Sequence, residues 1–287
     1  MTLIYKNRIL SYLFIFLLGL ISSLSLPPNN LFFLNFFSYP ALLWILLICP
    51  KDKIKSFNLG WMFGFGYFIS NLYWITNSLT FEELFKPLIP FALFLIPLFL
   101  GLFYGLSTLT FSFFNPKKNF LSILILVTSL SIFEFTRSFL FGGFPWNLIS
   151  FSFVSYLEFI QLLSITGTYA FNSIIILLFL LPTILFFNYK KNFKIGILIF
   201  SLLLIFTNYL YGSLNLKNYE LNEKKDLGFT IKIISPNIGI NRYFQNENSR
   251  EFISELINIS EPNPQNETLF ILPEGILSSI YFEDLKK

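Results

Sequence analysis

The chain has 287 residues, of which 54% are hydrophobic, 20% aromatic and only 13% charged, and its mean hydropathy is +0.65. That balance excludes a water-soluble domain with a solvated face on every element and indicates a membrane protein. The absence of histidine rules out Ser-His-Asp and Cys-His pairs and His-ligated zinc, and a lone cysteine, Cys49, excludes a disulfide framework or a Cys-based metal site within one chain.

The net charge of +4 is unevenly distributed. Before Gly212, Lys and Arg outnumber Asp and Glu by 12 to 5, a net +7; from Gly212 onward the counts are 8 and 11, a net −3. This predicts a transmembrane helical domain over residues 1–211 and a polar, mildly acidic tail over 212–287. The isoelectric point near 9.0 then reports lysines flanking membrane segments and gives no support to nucleic-acid binding.

Lys6 and Arg8 precede an apolar run, residues 9–26, long enough at about 1.5 Å per residue to approach the ~30 Å hydrocarbon core. No small-x-small site precedes Pro27-Pro28 and further apolar runs follow, so the stretch reads as an anchor rather than a cleaved signal. The further spans are expected over residues 31–49, 57–75, about 88–114, 121 to about 141, about 165–187 and 195–211, about seven in all. Gly60 and Gly64 have the spacing that lets helix backbones approach closely.

With a cytoplasmic amino terminus, the inside segments hold Lys6, Arg8, Lys51, Lys53, Lys55, Lys117, Lys118, Lys190, Lys191 and Lys194. The outside loops hold Lys86, with Arg137 near a span end. Ten against two is a positive-inside pattern, and an odd number of spans places the tail outside the cytoplasm. Cys49 falls at the cytoplasmic end of its span, where it reads as a small buried hydrophobe.

Two groups of polar residues lie at outer span ends. Glu134 and Arg137, three apart, share a face of the fifth span. Ionisable groups at that depth are costly unless paired or facing a polar cavity, so they read either as a mutual ion pair at the headgroup level or as substrate-facing groups. The run Phe141-Gly142-Gly143-Phe144-Pro145-Trp146-Asn147 follows, a loop too rich in Gly, Pro and aromatics to continue the helix. On the third span Asn71, Tyr73 and Trp74 sit at the same side and fit an interfacial aromatic belt.

The tail reads as one β-α-β unit. Residues 229–235 (FTIKIIS) alternate like a strand and stop at Pro236-Asn237; Asn248 or Ser249 caps a helix to about Ile259, with Phe252, Ile253, Leu256 and Ile257 on one face. Residues 269–272 then form a short buried strand that ends on Pro273 and Glu274. One such unit has too little core to stand alone, so it reads as the start of a larger α/β domain. Glu274 lies where open α/β sheets collect catalytic groups, and partial burial there would suit it to general-base work; a solvated turn glutamate fits the same tetrapeptide.

Four blocks resemble, in the same order, the bacterial apolipoprotein N-acyltransferases: GFGYFISNLYWI (64–75), FEFTRSFLFGGFPWN (133–147), KIISPNIGI (232–240) and LFILPEGILSS (269–279). The resemblance implies an inner-membrane helical bundle carrying an extracytoplasmic nitrilase-like αββα domain. It implies transfer of an acyl chain from a phospholipid to the amino group of a lipoprotein's amino-terminal diacylglyceryl-cysteine, through a thioester on an enzyme cysteine. In that pattern Glu274 matches the general base of a Glu-Lys-Cys triad, and Glu134, Arg137, Phe144, Pro145, Trp146, Tyr73 and Trp74 are candidates for residues next to substrate; no cofactor or metal is expected. The family's lysine and cysteine lie later in the domain than Lys287, and Lys286 and Lys287 follow Glu274 too closely to serve. The sequence is therefore expected to be an amino-terminal portion, inactive alone for want of a nucleophile. A nitrilase-type membrane amidase, or a non-enzymatic transporter or scaffold, are the alternatives, although a transporter would place broken helices and polar groups near the midplane.

Overall fold

A computed structural model of the chain describes residues 7–48, 52–221, 228–237 and 249–276. The chain divides into two compact units, Met1–Glu220 and Leu221–Lys287. Among the described residues the apolar runs of the first unit form helices α1 (Arg8–Ser23), α2 (Asn35–Ile48), α3 (Lys53–Leu72), α4 (Ile89–Phe113), α5 (Phe120–Arg137), α6 (Thr168–Leu180) and α7 (Lys191–Leu221). Short polar residues start several of them by accepting otherwise orphaned backbone N–H groups. Asn7 Oδ1 accepts from Ile9 N at 3.0 Å, Asp52 Oδ1 from Lys55 N at 2.9 Å and Asn119 Oδ1 from Ser122 N at 3.2 Å.

Among the described residues, four helical stretches are long and apolar enough to cross a membrane: Glu83–Phe113, Phe120–Arg137, Thr168–Phe186 and Lys191–Tyr219. The first and third include 3₁₀ segments, Glu83–Leu88 before α4 and Leu181–Phe186 after α6. Arg8–Ser23 and Phe32–Ile48 are apolar but shorter, and α3 has 20 residues but is interrupted by glycines and asparagines. Several expected boundaries move. α5 ends at Arg137, before the expected residue 141, because Phe141, Gly142 and Gly143 all take positive φ (55°, 88° and 79°), which no α-helix accommodates. α7 continues past the expected residue 211, through Gly212, to Leu221.

α3 packs between α1 and α4, and glycine makes both contacts possible. A Cβ on Gly66 would lie 2.2 Å from Phe16 O on α1, and one on Gly60 would lie 2.5 Å from Tyr104 O on α4. In an apolar solvent helices gain little by burying hydrocarbon against each other, so such close approach and interhelical hydrogen bonds must hold them. Thr108 Oγ1 donates to Ser56 O and Trp61 Nε1 to Leu98 O, both at 2.8 Å.

The helix ends collect at two places. At one, Lys53 Nζ lies 4.0 Å from the Phe113 ring centroid and Lys118 Nζ 4.3 Å from that of Trp44, while Phe120 N donates to Tyr189 Oη at 3.0 Å. At the other, the ring centroids of Trp74 and Trp146 are 6.4 Å apart and those of Phe32 and Tyr156 5.7 Å. α7 exposes Ile199, Phe200, Leu202, Leu203 and Phe206, the dress of a helix facing lipid.

In the second unit β1 (Thr230–Ile233) and β2 (Thr268–Ile271) pair in parallel, Thr230 opposite Thr268 and Ile233 opposite Ile271, with α8 (Ser249–Ser260) between them in sequence. Phe252 and Leu256 of α8 are buried with Ile234. Lys232 Nζ donates to the Ser260 and Glu261 carbonyls, both at 3.0 Å, placing a cation at the helix's carboxyl end. The expected burial of residues 269–272 is not found: Leu269, Ile271 and Leu272 are exposed at 49%, 44% and 36%, because two strands and one helix leave a sheet face uncovered.

Candidate functional site

The sequence candidates divide between the two units. In the first, Glu134 and Arg137 are both buried, at 2% and 1% exposure, but they do not form an ion pair; among the described residues the ion pair is Lys86 with Glu83 on the surface. Each has its own partners. Glu134 Oε1 accepts from Tyr104 Oη on α4 at 2.9 Å, and Oε2 accepts from Asn172 Nδ2 on α6. Asn172 Oδ1 in turn accepts from Ser150 N at 3.0 Å. The carboxyl group thus ties α5 to α4 and α6, and a further hydrogen bond reaches the chain after the aromatic loop.

Arg137 holds that loop. Its Nη1 donates to Phe144 O at 2.8 Å and to Trp146 O at 2.9 Å, while Phe144 N donates to Arg137 O at 2.9 Å. The guanidinium lies between two rings, its Cζ 5.1 Å from the Phe68 centroid and 5.5 Å from that of Phe144, a favourable setting for a desolvated cation. Tyr67 Oη on α3 adds a third tether, donating to Asn147 O at 2.9 Å. Arg137 Nε and Nη2 have no hydrogen-bond partner among the described residues.

Held from beneath, the loop shows its aromatic side outward. Phe141 is 82% exposed and Trp146 56%, and Pro145 is also exposed. Trp146 packs on Phe144, with centroids 5.4 Å apart, and meets Trp74 from the 3₁₀ segment Tyr73–Thr80. Trp74 is therefore part of this cluster, whereas Tyr73 is exposed without a ring contact to it. A cavity of about 320 Å³ beside the loop is bounded by Leu95, Phe99, Phe103, Leu140, Phe141 and Arg137. Another, of about 490 Å³, lies against α7 and is lined mainly by apolar side chains including Phe36, Phe153, Phe159 and Ile175.

In the second unit Glu274 follows β2 directly, in a turn completed by Gly275 at φ 73°. It is exposed rather than partly buried. Cys49 lies outside the described residues. The groupings that sequence reasoning missed are Tyr67, Tyr104 and Asn172; their signal is a polar atom inside an apolar helix, as in FNSIIILL around Asn172. No group of His, Cys, Asp and Glu among the described residues is arranged to hold a metal ion.

Comparison with known proteins gives this cluster a setting. Residues 18–181, more than half of the chain, match the family model of the apolipoprotein N-acyltransferase N-terminal domain, a range that includes Glu134, Arg137 and the aromatic loop. The chain is similar to the apolipoprotein N-acyltransferase of Rickettsia bellii (strain RML369-C), 34% identical over 278 residues, covering 91% of this chain and 51% of the relative. The protein of that name from Rickettsia typhi (strain ATCC VR-144 / Wilmington) is 32% identical over 265 residues, with 90% and 50% covered. That from Brucella suis biovar 1 (strain 1330) is 27% identical over 258 residues, with 87% and 48% covered. The chain spans about half the length of the curated relatives it matches. With the family model over the helices that carry the cluster and relatives aligned along most of its length, the chain belongs to the apolipoprotein N-acyltransferase family.

Proposed function

We propose that the chain supplies the membrane portion and the first β-α-β unit of an N-acyltransferase that moves an acyl chain from a phospholipid to the amino-terminal diacylglyceryl-cysteine of a lipoprotein. In this reading α1–α7 all cross the bacterial inner membrane, the amino terminus is cytoplasmic and the second unit is an extracytoplasmic nitrilase-like domain in the making. The ten-to-two loop charge asymmetry supports that orientation. Glu274 takes the proton of a thiol; the thiolate attacks the ester carbonyl of the donor, a thioester forms and a lysophospholipid leaves. The acceptor amine then attacks the thioester, an amide forms and the thiol is regenerated. The thiol is not Cys49, which this topology puts on the cytoplasmic side. It belongs, with the lysine of the triad, to the part of the relatives' length that this chain does not span.

The observation that carries the reading is the position of Glu274: exposed, at the carboxyl end of a parallel strand, where an α/β sheet presents groups to ligands. The test is a chimera of this chain with the remaining half of the Rickettsia bellii relative, loaded with a radiolabelled phospholipid and scored for hydroxylamine-labile label on protein. Glu274→Gln is expected to slow thioester formation about 10²–10⁴-fold, the usual contribution of a positioned base, with membrane insertion unchanged. An unaltered rate would remove Glu274 from the mechanism.

A further inference from the structure

A guanidinium presents five N–H donors, and in Arg137 the two on Nη1 are taken by the Phe144 and Trp146 carbonyls. The three on Nε and Nη2 have no partner among the described residues, on a side chain that is 1% exposed. Those two nitrogens form the edge of the fork that matches phosphate and carboxylate oxygens two at a time. Glu134 does not fill it: among the described residues no ion pair or hydrogen bond joins it to Arg137, and its oxygens accept from Tyr104 and Asn172. A buried cation with an unfilled edge is costly in an apolar medium, which calls for an acceptor from outside the chain.

The cavity beside Arg137 indicates which acceptor. Its volume of about 320 Å³ is at the small end of ligand sites, which run roughly 300–1,000 Å³, enough for a headgroup-sized moiety and the first part of a chain. Arg137 is the charged residue of its lining, and Leu95, Phe99 and Phe103 of α4 form an apolar wall. That wall continues into the exposed Phe91, Phe94 and Leu95, a surface suited to lipid and unsuited to a small hydrated anion. We infer that the cavity between α4 and the aromatic loop binds the phosphodiester of a membrane phospholipid on the Nε/Nη2 edge of Arg137. The site rests on the reading of the chain as a phospholipid-handling membrane protein, but it requires no acyl transfer by the chain.

The test uses the whole 287-residue chain in a neutral maltoside detergent, titrated with dihexanoyl phosphatidylglycerol, with dihexanoylglycerol, which has the same chains and no phosphate, and with inorganic phosphate. The phospholipid is expected to bind at least about tenfold more tightly than the other two, in line with a charge-assisted bidentate contact. Arg137→Gln should abolish that preference. Leu95→Trp, at the exposed mouth of the cavity and away from the Arg137 tethers, should weaken phospholipid binding about tenfold while the chain stays folded, which keeps the test decisive if Arg137→Gln misfolds. Equal binding of phospholipid and dihexanoylglycerol, as water satisfying the guanidinium would give, overturns the site; so does undiminished phospholipid binding by Leu95→Trp. Inorganic phosphate binding as tightly as the lipid overturns the lipid assignment. Because no turnover is measured, failure of the acyl-transfer chimera leaves these outcomes readable.

Discussion

At one end of the helical unit Lys53 and Lys118 rest on the rings of Phe113 and Trp44 with their ammonium groups exposed; at the other Arg137 is buried between Phe68 and Phe144 while Phe141 and Trp146 face outward. Both ends combine cations with aromatic rings, but the order of layers is reversed. Exposed lysines are hydrated, so little depends on which ring they touch. A buried arginine's donors become position-specific: two fix the loop backbone, and those on Nε and Nη2 have no partner among the described residues. Basic residues that stay hydrated at one end are thus matched at the other by one that organises the backbone around it.

Removing the buried polar partner should separate the ends most. Glu134→Leu strips the acceptor from Tyr104 Oη and Asn172 Nδ2 at once. With about 1–3 kcal/mol for each of the two buried donors left unsatisfied, thermal unfolding in detergent should show a loss of about 2–6 kcal/mol. Wild-type stability in that variant would mean the network is not what joins α4, α5 and α6.

Tyr67→Phe deletes one of the three side-chain tethers on the loop, the bond to Asn147 O. The expected loss is about 1 kcal/mol, with a larger local effect: Trp146 should become more accessible to a soluble fluorescence quencher. An unchanged quenching constant would show that Arg137 alone restrains the loop. The smallest change is expected at the lysine end, where Lys118→Ala removes an exposed cation–π contact with Trp44; such contacts contribute about 0.5–1 kcal/mol. A loss as large as that of Glu134→Leu would erase the distinction between the two ends.

The helices were legible because their apolar runs are long, whereas the capping roles of Asn7, Asp52 and Asn119 appear only in the structure. The end of α5 was harder, since it depends on Phe141 adopting a positive φ that the following glycines permit but do not announce. Glu134 and Arg137 were visible as polar residues in an apolar run, and their spacing suggested a mutual pair. Their actual partners lie 30 and 38 positions away for the carboxyl group, or are backbone carbonyls that any residue could offer, and a periodicity argument reaches neither. Trp74 joined Trp146 for the same non-local reason. The burial expected of residues 269–272 came from reading an apolar run as a covered strand, whereas coverage depends on what packs over it. The family blocks carried information that periodicity lacks, and the family assignment follows from comparison along the chain.

α7 differs from the other helices in a way that bears on how the gene can drift. No residue of its apolar window is buried, so most of its positions are selected for solubility in hydrocarbon and for little else. The exceptions are Gly212, where a Cβ would fall 1.8 Å from Glu158 O, and Asn208 and Asn215, whose Nδ2 groups donate to Phe159 O at 3.0 Å and Gln161 Oε1 at 2.7 Å. Most outward positions of this helix can therefore interchange Leu, Ile, Phe and Val at little cost, while Gly212 near its carboxyl end is the notch that lets it approach Glu158.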